Sequence, residues 1–150
     1  MVDIPSFLRT YPPFDTLDEE TLARVVRGTE IAFFPAGEVI LERSGEPARA
    51  AYVVRSGAVE LIDGEGVIDL LGPGELFGHP SLTAGAEPAF TVRAHEDSLC
   101  YLVDGDIMQE ILRTRAGLTF LSASLRRRMV RALEGVEADR ADPWRIDRHT

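Results

Sequence analysis

Between residues 29 and 103 short apolar runs alternate with glycines. The runs 31–34, 38–41, 51–54, 58–62, 67–71, 90–94 and 98–103 have strand length and are rich in valine, isoleucine, leucine, phenylalanine and tyrosine. Gly37, Gly45, Gly57, Gly64, Gly66, Gly72, Gly74 and Gly78 punctuate them, close to the spacing of about 8–12 residues that marks an all-β sandwich or barrel. Arg55-Ser56-Gly57 separates two of the runs and reads as the turn of a β-hairpin. The pattern predicts a rolled antiparallel sheet.

Helical patterning flanks the sheet on both sides. Two helical pieces are expected within 6–28. The second opens on Asp18 as N-cap, with Glu19 and Glu20 at the positive end of the helix dipole and Leu17 and Leu22 spaced for a hydrophobic staple. Leu22, Val25 and Val26 then share a face directed at a core. Beyond the strands, Asp104 or Asp106 caps a helix carrying Ile107, Met108, Ile111 and Leu112, and Gly117 separates it from a second helix. Leu118, Leu121, Leu125, Met129 and Leu133 form a narrow apolar stripe that needs a partner surface, either the sheet or a second copy of the chain. Residues 137–150 are polar, contain Asp142-Pro143 and lack helical periodicity, so the expected division is a domain over 1–136 and a tail or linker over 137–150.

Composition narrows the function classes. A chain of 150 residues, 45% hydrophobic and 27% charged, suffices for one domain with its own core. The net charge of −9 repels a phosphate backbone, which disfavours nucleic acid as a partner. No apolar run approaches the roughly 20 residues of a membrane span. Met1-Val2-Asp3-Ile4-Pro5 lacks the basic and apolar regions of a signal peptide, and the single Cys100 cannot form an internal disulfide. A cytoplasmic protein without membrane contact is expected. All 16 basic residues are arginine, and lysine and asparagine, whose codons are rich in A and T, are absent, as in a bacterium with G+C-rich DNA.

Several motifs occur in order: Phe33-Phe34-Pro35-Ala36-Gly37-Glu38-Val39-Ile40, then Tyr52-Val53-Val54-Arg55-Ser56-Gly57-Ala58-Val59, then Phe77-Gly78-His79-Pro80-Ser81-Leu82 followed by Pro88-Ala89-Phe90-Thr91-Val92-Arg93-Ala94. Together they resemble the cyclic nucleotide-binding domain family, of the cAMP receptor protein type, over residues 7–131. The resemblance implies a mainly β fold with flanking helices: an antiparallel β-roll, a jelly-roll-like double-stranded β-helix, between N-terminal and C-terminal helices. It implies a regulatory sensor rather than an enzyme. Its small-molecule effector would be a cyclic nucleotide or another nucleotide-like compound, held by Gly78, His79, Pro80, Ser81, Leu82, Pro88, Ala89, Phe90 and Thr91. The Phe-Gly-His-Pro-Ser-Leu variant is also similar to N-terminal sensors of bacterial signalling proteins in which this domain precedes paired CBS domains and a nucleotidyltransferase.

Two positions depart from the family pattern, whose phosphate-binding cassette reads approximately Phe-Gly-Glu-x-Ala-Leu and then Arg-Ala-Ala-Thr-Val-x-Ala. The ribose-binding Glu is His79 here, and the phosphate-binding Arg is Pro88. An arginine fork holds a phosphate through two charge-assisted hydrogen bonds, whereas proline offers neither charge nor N–H. Losing such a pairing costs about 2–5 kcal/mol, so ordinary cAMP binding is not expected. Either the pocket has changed its ligand, with Arg49, Arg55 or Arg93 replacing the lost charge, or the cassette survives only for packing. In the second case the chain is a ligand-free interaction module; in either case a homodimer contact through the helix over 118–133 is expected.

Other chemistry is weakly supported. His79, His95 and His149 include no His-x-His pair, so no metal is expected. No nucleophile elbow frames Ser81, so no catalytic residue is expected. Arg126-Arg127-Arg128 and Arg131 read as a solvated helix face, since too few residues follow for a DNA-binding module in this chain. Cys100, inside an apolar run, reads as a buried structural thiol.

Overall fold

The computed structural model describes residues 3–64 and 66–141. Its eight strands form two four-stranded antiparallel sheets. One contains, in spatial order, β1 (Thr29–Phe34), β8 (Ser98–Asp104), β3 (Ala50–Ser56) and β6 (Leu76–Phe77); the other contains β2 (Val39–Leu41), β7 (Thr91–Ala94), β4 (Val59–Asp63) and β5 (Gly66–Leu71). Helices α1 (Ile4–Leu8) and α2 (Glu19–Arg27) precede the strands, α3 (His79–Ala84) interrupts them, and α4 (Gly105–Leu112) and α5 (Arg115–Ala141) follow. This is the expected β-roll with helices at both ends.

Only β4 and β5 form a hairpin between consecutive strands; every other connection carries the chain into the opposite sheet. The hairpin expected across Gly57 is therefore corrected. β3 pairs with β8 and β6, while β4 pairs with β7 and β5. A glycine turn specifies a change of direction but not which strand lies beside which. Gly57, at φ +87°, is a corner between sheets, and a Cβ there would overlap the Asp97 carbonyl oxygen and the Ser98 hydroxyl. Strand β6 was not anticipated, because two buried residues are too few to display a period.

Alternation along the strands divides the apolar side chains between two cores. In β3 and β8, Ala51, Val53, Tyr101 and Val103 pack against the helices, where they meet Leu22, Val25, Met108, Ile111 and Leu112. Val54 and Cys100 point the other way, into the roll, to join Val59, Leu61, Leu71, Phe77 and Val92. The Cys100 thiol is buried, and burial pushes its pKa up to about 12.

The caps act as expected. Asp18 Oδ1 accepts from the Thr21 N–H at 2.7 Å, and Leu17 packs on the cluster that contains Leu22. Of the two candidates for α4, Asp104 is the cap, accepting from the Ile107 N–H at 3.2 Å.

Two expectations about the last helix are corrected. Gly117 does not separate two helices: the break falls at Arg113 and Thr114, and Gly117 lies in the first turn of α5, where a Cβ would overlap the Ile111 carbonyl. The helix runs on to Ala141, through the first part of the segment read as a non-helical tail; 142–150 lie outside the described residues. The apolar stripe is mostly uncovered by the chain itself, with Leu118, Leu125, Met129 and Leu133 each more than half exposed. Leu121, the half-buried member of the stripe, and Phe120 beside it make the contact with the core. Among the described residues, no helix is long and apolar enough to cross a membrane.

Candidate functional site

The cassette residues enter α3 through Gly78, whose φ of +80° and ψ of −14° lie in the left-handed region. A side chain there would be strained and would press on the Tyr52 ring and Leu41, at 3.1 and 3.3 Å. Pro80 fits the first helical turn, where its missing N–H costs nothing.

Beside this turn lies a cavity of about 330 Å³. Leu41, Leu61, Phe77 and Val92 line it from the strands. Gly78, Pro80 and Ser81 line it from the start of α3, and Pro88, Ala89 and Phe90 from the segment before β7. Leu125, Arg128 and Met129 of α5 supply the remaining wall. A hollow of about 240 Å³ adjoins it, sharing Pro80, Leu125 and Arg128 and reaching His79, Leu121 and Ser124.

Gly78, Pro80, Ser81, Pro88, Ala89 and Phe90 are thus brought together on one cavity, whereas His79, Leu82 and Thr91 are not part of its wall. His79 is 2% exposed and its ring packs on Phe120, with centroids 5.7 Å apart. Burial, aided by the Arg128 charge, holds its pKa down at about 4, and its Nδ1 has no hydrogen-bond partner among the described residues. Leu82 belongs to the helix-side core. The Thr91 hydroxyl accepts from the Arg43 N–H at 3.1 Å, tying β7 to the end of β2. Ser81 is committed as well: its hydroxyl accepts from the Ala48 N–H at 3.0 Å and donates to the Ala86 carbonyl. Pro88 is buried, and its carbonyl accepts from the Ser44 N–H at 3.0 Å.

None of the three arginines considered as replacements lines the cavity. Arg93 alternates with Val92 and so faces the outside of the roll, where it donates to Glu60 Oε2 from Nε at 3.1 Å and Nη2 at 2.8 Å. His95 Nδ1 lies 2.6 Å from the other Glu60 oxygen, and these bonds from His95 and Arg93 hold the Glu60 carboxyl below its usual range. Arg55 donates to the Tyr101 hydroxyl at 3.1 Å and lies over the Phe7 ring, 4.5 Å from its centroid. Arg49 is exposed.

The cavity arginine is Arg128, from the cluster read as a solvated helix face. That reading holds for the exposed Arg126 and Arg127 and is corrected for Arg128 and Arg131. Arg131 donates to both oxygens of Asp69, and Arg128, with a side chain 20% exposed, turns into the cleft. The signal was present in the sequence, since Arg128 follows Leu121 by seven residues and Leu125 by three, on one helix face.

The sequence matches the profile of the cyclic nucleotide-binding domain over residues 31–115. The chain belongs to that family. It is similar to an uncharacterized NTE family protein of Mycobacterium tuberculosis, with 28% identity over 132 residues that cover 87% of this chain and 22% of that protein. The chain therefore spans about a fifth of that relative's length. Among solved structures it is similar to the regulatory domain of Toxoplasma gondii PKA crystallised with cAMP: 29% identity, a TM-score of 0.64, and coverage of 71% of this chain and 42% of that one. The sensor domain of the transcriptional regulator DNR from Pseudomonas aeruginosa shares the fold, at 20% identity and a TM-score of 0.70, covering 83% of this chain and 92% of that one. Cyclic nucleotide-binding domains are regulatory modules, and in this member six of the nine residues named from the resemblance line the cavity. Among the described residues, no group of three or more His, Cys, Asp or Glu side chains is arranged to hold a metal ion.

Proposed function

We propose that this domain is a regulatory sensor, not a catalyst, working in the cytoplasm of a bacterium. It takes a small effector, no larger than a nucleotide, in the cavity between the cassette and α5, and signals through that helix. The observation that carries the reading is the shared wall. The cavity is bounded on one side by Gly78, Pro80 and Pro88 and on the other by Leu125, Arg128 and Met129 of α5, so occupancy bears directly on the position of the helix that leads out of the domain. Its volume of about 330 Å³ falls at the small end of the range of about 300–1,000 Å³ typical of ligand sites.

The test is thermal unfolding against cyclic mononucleotides, cyclic dinucleotides and linear nucleotides, for the wild-type chain and an Ala89→Trp variant that fills the cavity. A ligand at 100 times its Kd adds about 2.7 kcal/mol of stability. A rise in midpoint that Ala89→Trp abolishes supports the sensor; silence across the panel removes nucleotides as effectors.

A second reading is favoured by the exposed stripe Leu118, Leu125, Met129 and Leu133: a homodimer or interaction module built on α5. Sedimentation that shows a dimer in the wild-type chain and a monomer in Leu118→Glu/Leu133→Glu supports it.

A further inference from the structure

The sensor reading leaves the class of effector open, and the cavity wall narrows it. Arg128 is the one charged side chain among the described residues of that wall. Its Nε is buried without a hydrogen-bond partner. The nearest carboxylate oxygen, on Asp69, is 4.0 Å away, and both Asp69 oxygens already accept from Arg131 at 2.9 and 3.0 Å. Burial lowers the arginine's pKa from its usual value, although a guanidinium stays cationic at neutral pH. A half-buried cation with an unanswered donor is costly, and an anion placed beside it removes that cost.

The rest of the wall offers little to a polar ligand. The Ser81 hydroxyl is occupied by Ala48 and Ala86. Pro88, at the position of the family's phosphate-binding arginine, carries no charge, and Leu41, Leu61, Phe77, Ala89, Phe90, Val92 and Met129 are apolar. A ribose and a base buried there would find no free side-chain partner besides Arg128 for their hydroxyls and ring nitrogens.

Resting on the sensor reading, we infer that the effector is an amphipathic anion, a small organic molecule whose apolar body fills the cavity and whose single carboxylate or phosphate pairs with Arg128 of α5. The anion site has moved from the cassette to the signalling helix, so effector charge acts on α5 directly.

Two fluorescent probes test this: 1-anilinonaphthalene-8-sulfonate and N-phenyl-1-naphthylamine share an apolar body and differ by the sulfonate. Each is titrated into the full chain as wild type, Arg128→Gln, Arg128→Lys and Ala89→Trp. The expected result is that Arg128→Gln weakens the sulfonate probe about ten- to a hundredfold and changes the neutral probe by less than about twofold. Arg128→Lys retains most of the sulfonate preference, and Ala89→Trp displaces both probes. If Ala89→Trp displaces both but Arg128→Gln affects them equally or not at all, the anion site is overturned while the cavity stands. If Ala89→Trp displaces neither, or neither probe binds the wild type, the cavity reading falls as well. Arg128→Gln removes a buried Nε that has no hydrogen-bond partner together with a long ion contact to Asp69 at 4.0 Å, so its melting temperature stays close to that of the wild type; a large fall would overturn the claim that this Nε is unsatisfied.

Discussion

One guanidinium nitrogen of Arg131 reaches both carboxylate oxygens of Asp69, at 2.9 and 3.0 Å, while the other reaches Glu75 Oε1 at 3.1 Å. Asp69 is on β5 and Glu75 just before β6, so one side chain of α5 is pinned to both sheets. Glu75 is held in turn, because its other oxygen accepts from the Gly72 N–H at 2.7 Å. The clamp lies three residues beyond Arg128, just under one helical turn, and fixes the helix against the cavity.

Removing the clamp should loosen α5 before it unfolds the roll. Asp69→Ala is expected to cost about 1–3 kcal/mol, toward the lower end because the Arg131 side chain is 38% exposed and screened by water. Hydrogen exchange should show faster opening of amides in α5 with little change in β3 and β8. Unchanged protection across 115–131 would mean that the ion pair does not hold the helix.

The corner at Gly57 makes a comparison with Gly64. Both have positive φ, +87° and +62°, but a Cβ at Gly64 meets nothing within 4 Å whereas one at Gly57 runs into Asp97 and Ser98. Gly64→Ala should lose about 1–2 kcal/mol for the backbone conformation alone, and Gly57→Ala clearly more, about 3 kcal/mol or above. Urea midpoints decide it; equal losses would contradict the close approach at the corner.

Features written in short-range chemistry were legible from the sequence. Asp18 and Asp104 cap the helices they precede because a side-chain oxygen reaching an amide three residues on is a local event. The strand runs were found because β3 and β8 alternate between two cores. What failed depended on contacts distant in sequence. Gly57 looks the same in a hairpin and at a sheet corner until β8 is placed behind it. His79 sits in a cassette motif, yet Phe120, far along the chain, decides that its ring is covered. Arg128 is one of three consecutive arginines; its spacing from Leu121 and Leu125 puts it on their helix face, but that this face meets the cassette depends on where α5 is placed.

Ser81 is expected to matter through structure. Its hydroxyl joins Ala48, ahead of β3, to Ala86, in the segment that leads to Pro88 and Ala89. Ser81→Ala leaves the Ala48 amide buried without its acceptor and should cost about 1–3 kcal/mol. It should also weaken any cavity ligand by freeing one rim. A variant as stable as wild type in urea, with unchanged probe affinity, would show that the rim is held by other contacts.

His79 should give the domain a pH dependence in a window set by its own burial. Its ordinary pKa of 6.5 governs the unfolded chain, while the folded value is about 4 because the ring is buried and faces the Arg128 charge. Between those values the unfolded chain binds a proton that the folded chain refuses, so stability is full above pH 6.5 and falls as pH drops toward 4. At pH 5 the loss relative to pH 7.5 is about 2 kcal/mol from this residue, before most carboxylates begin to titrate. His79→Gln, neutral throughout, should lose less stability than wild type over the same interval, whatever its stability at pH 7.5. Thermal or urea unfolding of both chains at pH 7.5, 6.0 and 5.0 measures the difference, and parallel curves would mean that the folded protein does accept a proton at His79.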